Sequence, residues 1–213
     1  ADELAAKCRA KQPGLIVVDR AVPGPNQNYL TPENTVPEKA LPYPWESCIV
    51  SGGGWSYTRD SKYMSGREGI RMLADIVSKG GNLLLNIAPG PDGTWQAGAY
   101  SLLNEYAAWM RVNSSAIYGT RAVPPYGEGY LRYTRGKDGA LNAILLAGDD
   151  GVLPQVISIP SFRPAPGASV VMLGAKGELA WRQTEKGCEI MIPDRVRKSP
   201  PCRHAWVIRM SAI

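Results

Sequence analysis

Near Ala122 the hydrophobic pattern of this chain changes period, so one uniform layer architecture cannot accommodate both halves. Before that point apolar runs alternate with amphipathic helical segments. Residues 2–11 read as a helix, with Asp2 and Glu3 in the first turn and Leu4 and Cys8 four apart. Pro13-Gly14 stops it, and Leu15-Ile16-Val17-Val18 follows as a strand apolar on both faces, the signature of a buried parallel sheet. A long loop carrying Pro23, Pro25, Pro32, Pro37, Pro42 and Pro44 excludes helix, and residues 45–50 form a second strand. Residues 65–79 carry a capping box, Ser65 with Glu68, and one apolar face made by Ile70, Leu73, Ala74 and Val77. Gly80-Gly81 ends that helix, residues 83–87 give a third strand, and a helix follows over 97–112.

Beyond Ala122, short runs at 141–147, 156–159, 170–173, 189–192 and 206–210 are separated by Gly, Pro and Asp turns. That spacing predicts an antiparallel sandwich. The expected division is residues 1–121 and residues 122–213. Three parallel strands are too few to close a barrel, and their apolar edges demand neighbours. The first half therefore reads as part of a larger barrel, with a small open layer edged by loops as the plainer alternative. The expected class is α/β plus all-β: the C-terminal part of a (β/α) barrel followed by an antiparallel β-sandwich.

Several chemistries are excluded by counting. The single histidine, His204, leaves no His-based zinc cage, and any Ser-His-Asp arrangement must use it. Cys8, Cys48, Cys188 and Cys202 have no CxxC spacing; Cys188 and Cys202 are candidates for a disulfide, with buried free thiols the plainer reading. No metal site and no cofactor are expected. The net charge of +5 is drawn partly from Arg195, Arg197, Lys198, Arg203 and Arg209, mixed with Pro200 and Pro201 in an expected loop. A solvated loop explains them better than an anionic-partner patch. No basic stripe with interleaved aromatics speaks for nucleic acid, and no apolar run reaches the length of about 18 residues that a membrane span needs. Neither Gly-rich turn, 51–54 or 89–93, matches a phosphate loop, and G-x-S-x-G is absent. Asn113-Ser114-Ser115 has the form of a glycosylation acceptor, a triplet common by chance.

Sites in parallel α/β folds gather at the carboxyl ends of strands. The first strand delivers Asp19-Arg20, the loop behind it carries Tyr29-Leu30-Thr31-Pro32-Glu33, and the second strand delivers Gly52-Gly53-Gly54-Trp55. Arginine, carboxylate and tryptophan on one rim suit a neutral polyhydroxyl ligand. Each also has an ordinary reading: Glu33 as a solvated loop carboxylate, Arg20 paired with Asp19 or Glu46, Trp55 in the core.

In their order these pieces resemble the C-terminal half of the α-L-fucosidases of glycoside hydrolase family 29. The resemblance rests on Val17-Val18-Asp19-Arg20, Tyr29-Leu30-Thr31-Pro32-Glu33, Pro44-Trp45-Glu46-Ser47-Cys48 and Trp55-Ser56-Tyr57. Most specific is the run Ser78-Lys79-Gly80-Gly81-Asn82-Leu83-Leu84-Leu85-Asn86, with Asp92-Gly93 after it. It implies retaining hydrolysis of terminal α-L-fucose from a fucosylated glycan, with Glu33 as catalytic acid/base and Arg20 and Trp55 as substrate-binding residues. It also implies that the nucleophilic aspartate belongs to a segment upstream of Ala1, since Asp19, Glu46 and Asp60 do not occupy its place. A companion N-terminal half of the barrel, separate or cleaved, is thus the expected partner. Such enzymes are periplasmic, secreted or lysosomal, and this chain carries no signal pattern. The alternatives are a catalytically inert fragment and a fucose-binding module.

Overall fold

The computed structural model describes residues 2–18, 20, 24–211 and 213. Its first part runs α1 (Asp2–Lys11), β1 (Trp45–Val50), α2 (Gly66–Ser78), β2 (Gly81–Asn86) and α3 (Ala97–Asn113). The start of α2 is fixed by the expected capping box, in which Ser65 and Glu68 bond reciprocally. Those bonds from the Ser65 N–H and hydroxyl hold the Glu68 carboxyl below its ordinary range.

β1 and β2 pair in parallel from Trp45 opposite Gly81 to Val50 opposite Asn86. The Trp45 indole, 1% exposed, lies over Gly81, where a Cβ would sit 2.4 Å from the ring. Gly81→Ala should therefore destabilise by about 1–3 kcal/mol through overpacking. Urea unfolding measures it, and an unchanged midpoint would contradict the close approach.

The expected first strand is not regular. Of residues 15–18, only Val17 and Val18 reach a neighbour, through a parallel bridge from Val18 to Tyr29 and the Asn28 N–H to the Val17 carbonyl. Ile16 is 67% exposed, and among the described residues no strand pairs outside this segment, so the apolar run is an edge and not a buried strand. The proline-rich loop, conversely, supplies a strand-like segment. Leu30 bridges Trp45 and Glu33 bridges Cys48 at one constant offset. The bonds alternate as in a parallel ladder: Leu30 N–H to Pro44 carbonyl, Glu46 N–H to Leu30 carbonyl, Cys48 N–H to Pro32 carbonyl, Asn34 N–H to Cys48 carbonyl. The one missing rung falls at Pro32, which has no N–H. The layer therefore runs 17–18, 29–34, β1, β2, all parallel. Among the described residues β2 has no partner but β1.

The second part begins where β3 starts. It comprises β3 (Arg121–Glu128), β4 (Leu131–Arg135), β5 (Leu141–Leu146), β6 (Val156–Ile159), β7 (Val170–Met172), β8 (Trp181–Gln183), β9 (Cys188–Met191), α4 (Asp194–Lys198) and β10 (Ala205–Met210). They form a five-stranded sheet in the order β3-β4-β5-β10-β7 and a three-stranded sheet in the order β6-β9-β8, with every pairing antiparallel. Leu141, Ala143, Trp206, Ile208 and Met210 face the smaller sheet and make the sandwich core. Ile144, Leu146, Ala205 and Val207 face the other way, onto Ile70, Ala74 and Trp109 of α2 and α3. The chain is thus a partial (β/α) barrel joined to a β-sandwich through a shared apolar layer. Arg67 and Arg71 of α2 reinforce the junction by donating to the Ala147 carbonyl.

One expectation is corrected, and two alternatives left open by the sequence are decided. The basic stretch is not one loop: Arg195, Arg197 and Lys198 lie on α4, while Arg209 lies in β10 and pairs with Asp138. Asn113 is fully buried and donates to the Trp109 carbonyl, which removes it as a glycosylation acceptor. All four cysteines are free, and burial pushes the Cys188 thiol up to about 11. No described helix is long and apolar enough to cross a membrane.

Candidate active site

Register and alternation decide which side chains share a face of the parallel layer. Ser47, Ile49, Leu83 and Leu85 alternate onto one side; Leu83 and Leu85 there line a cleft of about 1010 Å³ with Leu73, Val77, Leu103, Tyr106 and Met110 of α2 and α3. Glu46, Cys48, Val50, Asn82, Leu84 and Asn86 face the opposite side. The bridge from Glu33 to Cys48 places Glu33 on this second face, and the bridge from Val18 to Tyr29 brings Arg20, two residues on, to the same side. Leu84, 48% exposed, marks that face as open.

Arg20 and Glu33 meet there. The Arg20 guanidinium donates from Nη1 to Glu33 Oε2, and both side chains are about half exposed. Desolvation lowers the proton affinity of the guanidinium. The Glu33 charge and hydrogen bond, together with the Cys48 side chain, outweigh that and raise its pKa above the ordinary arginine value. Asp19 lies outside the described residues, and the partner of Arg20 is Glu33 rather than Glu46.

The position of Glu33 is set by the residue after it. Asn34 takes a left-handed φ of 49°, turning the chain away, and its Oδ1 accepts the Val50 N–H at 2.9 Å. In the ladder that N–H would otherwise reach the Asn34 carbonyl; the side chain stands in for it and ends the pairing. Glu33 is thereby the last paired residue, at the carboxyl end of its segment.

Trp55 sits in the loop leaving β1, and its carbonyl accepts from Asn86 Nδ2 at the carboxyl end of β2. It is 41% exposed and not a core residue. The structure thus brings Arg20 and Glu33 into contact and sets Trp55 on the same rim, held by a separate tie. Glu46, on the same face, lies one pleat deeper than Cys48, and Asp60 lies in the loop after β1. His204 is remote: it pairs with Glu105 of α3 at 2.6 Å, at the junction with the sandwich. Among the described residues no group of three His, Cys, Asp or Glu is placed to hold a metal ion.

Sequence reasoning missed Cys48, Asn34 and Asn86. The Cys48 role is visible only once residues 29–34 are known to pair with β1. Asn34 carried a legible signal, an Asn directly after a strand-like run, where left-handed turns are common.

Arg20 and Glu33 are thus in contact on an open face, and Trp55 lies in a loop at the same end of the layer. Known proteins match the chain over both of its parts. The α-L-fucosidase family description matches residues 1–115, and that of the α-L-fucosidase C-terminal domain matches residues 128–211. An α-L-fucosidase of Branchiostoma floridae is 32% identical over 177 residues, covering 79% of this chain and 38% of the relative. The tissue α-L-fucosidase of Rattus norvegicus is 30% identical, covering 87% and 41%. Among solved structures, α-L-fucosidase isoenzyme 1 from Paenibacillus thiaminolyticus superposes with a TM-score of 0.78 at 24% identity, covering 98% of this chain and 52% of its own. The Thermotoga maritima α-fucosidase in complex with fucose gives 0.77, also at 24% identity, covering 98% and 48%. The chain spans about two-fifths of the length of those curated relatives.

Proposed function

The chain belongs to the α-L-fucosidase family, and on that premise we propose that it supplies one half of a retaining α-L-fucosidase site, acting on terminal α-L-fucose of a fucosylated glycan. The observation that carries this reading is the Arg20–Glu33 contact at the carboxyl rim. Retaining hydrolysis needs two carboxyl groups about 5–5.5 Å apart, a nucleophile and an acid/base. Glu33 is the acid/base. It protonates the glycosidic oxygen while an aspartate from the upstream part of the barrel attacks C1; the C1–oxygen bond breaks and the glycan leaves as an alcohol. Glu33, now a carboxylate, takes a proton from water as the oxygen of that water attacks C1 and displaces the aspartate. Arg20 holds fucose hydroxyls beside Glu33, and Trp55 covers an apolar face of the sugar. The chemistry calls for no metal or cofactor.

Residues 1–121 form the catalytic part and residues 122–213 the supporting sandwich. The companion half docks along the exposed edge at residues 15–18 and completes the barrel at the unpaired edge of β2, where it covers Leu84. The setting is periplasmic, secreted or lysosomal, and of these a relative described as a plasma α-L-fucosidase supports secretion. Hydrolysis of an aryl α-L-fucoside by this chain, alone and completed by the upstream half, tests the reading.

A further inference from the structure

At the same rim the chain exposes more aromatic surface than its fold requires. Trp55, Tyr57, Trp95 and Tyr100 are exposed to 41%, 41%, 39% and 49%. Singly, such residues are unremarkable; four on adjoining loops form a feature. Trp55 and Tyr57 lie in the loop after β1, Trp95 in the loop after β2, and Tyr100 in the first turn of α3, so all four gather at the carboxyl end of the parallel layer.

These loops are braced. Gln96 donates from Nε2 to the Thr58 carbonyl and accepts the Ser61 N–H on Oε1, tying one loop to the other through a single amide. The turn carrying Trp95 is closed by the Gly90 N–H to the Thr94 carbonyl, and Asp92 accepts from both the Thr94 N–H and hydroxyl. Those bonds hold the Asp92 carboxyl below its ordinary range and occupy its charge. Tyr57 lies against Gly90, where a Cβ would stand 3.5 Å from its ring. Trp95 and Tyr100 meet with centroids 5.6 Å apart and planes tilted by 50°. The rings are therefore presented on a rigid support before any ligand arrives, and little ordering cost remains on binding.

We propose that Tyr57, Trp95 and Tyr100 form a ledge that binds the leaving-group side of the substrate, a neutral oligosaccharide. This deepens the fucosidase reading and rests on it. Continuity identifies the occupant: Trp55, on the same loop as Tyr57, belongs to the fucose-binding rim. A saccharide that extends from fucose must pass over the neighbouring surface. Aromatic faces receive the C–H faces of pyranose rings, and the three ledge side chains are themselves uncharged. The ledge thus sets preference for the glycan rather than for the fucose.

The test compares two substrates in the complete enzyme, this chain with its upstream half: a fucosyl-lactose trisaccharide, whose leaving group spans the ledge, and α-L-fucosyl fluoride, whose leaving group is fluoride alone. Trp95→Ala should lower the ratio of kcat/KM for the trisaccharide over the fluoride by about tenfold, carried by KM, as loss of one aromatic face implies. Tyr57→Ala should act in the same direction, and Trp95→Phe should restore most of the ratio. Equal losses on both substrates, or none, would overturn the ledge. If the wild-type enzyme cleaves neither substrate, the fucosidase reading itself has failed. The ledge is then decided by titrating this chain with lactose. Saturable quenching of tryptophan emission that Trp95→Ala abolishes supports it, and its absence overturns it.

Discussion

Glu33→Gln should lower hydrolysis of fucosides with sugar leaving groups by about 10²–10⁴-fold, the range of a single general acid–base group. The amide keeps the shape of the carboxyl and a hydrogen-bond acceptor for Arg20. It cannot deliver a proton to the glycosidic oxygen, nor take one from the incoming water. Substrates whose leaving group needs no proton, such as fucosyl fluoride, should lose much less in the first step and stall in the second, giving a burst. Folding should be nearly unaffected, because the Arg20–Glu33 pair is about half exposed and such pairs contribute little to stability. Steady-state and burst kinetics of the complete enzyme decide it. Equal losses on both substrates, with no burst, would remove Glu33 from the acid/base role.

Trp109→Ala should cost about 3–5 kcal/mol of stability, the range for removing a buried aromatic. Trp109 is 1% exposed on α3 and packs against Ala205 and Val207 of β10, and its Nε1 donates to the Ala205 carbonyl at 2.9 Å. It therefore joins the barrel part to the sandwich by packing and by a buried hydrogen bond. Truncation opens a cavity between the two, a large loss against a typical domain stability of about 5–15 kcal/mol. Denaturant unfolding measures the loss, and Trp109→Phe should fall between wild type and Ala. A loss below about 1 kcal/mol would mean that the two parts stand independently.

Helices α1, α2 and α3 were legible in the sequence because their signals are local, whereas α4 was read as a loop. Ser65 and Glu68 define a start, Gly80-Gly81 an end, and the Ile70–Leu73–Ala74–Val77 stripe a face. Strands of the central sandwich layer were legible as apolar runs, since β5 and β10 are buried on both faces. β3 was hidden by Pro124-Pro125, which offer no N–H, where its pairing with β4 shifts register between Ala122 and Gly127. β4 alternates Leu131 and Tyr133 toward the core and was readable in principle, while β8, three residues long, carries too little pattern. The largest inversion concerns residues 15–18 and 29–34. The apolar segment is an open edge, and the proline-bearing one holds the inner ladder position. Long-range pairing decides that outcome, not local composition. For the site, Arg20, Glu33 and Trp55 were nameable one by one, and their common rim followed from strand polarity. That Arg20 faces Glu33 depends on the bridge from Val18 to Tyr29, which no single segment reveals.

The most direct measurement is release of the aryl alcohol from an aryl α-L-fucoside by this chain, with and without the upstream half of the barrel. No turnover by the chain alone, restored on completion and dependent on Glu33, is the result expected of a site divided between the two halves. Glu33-dependent turnover by the chain alone would contradict it, because a carboxylate within these 213 residues would then be the nucleophile.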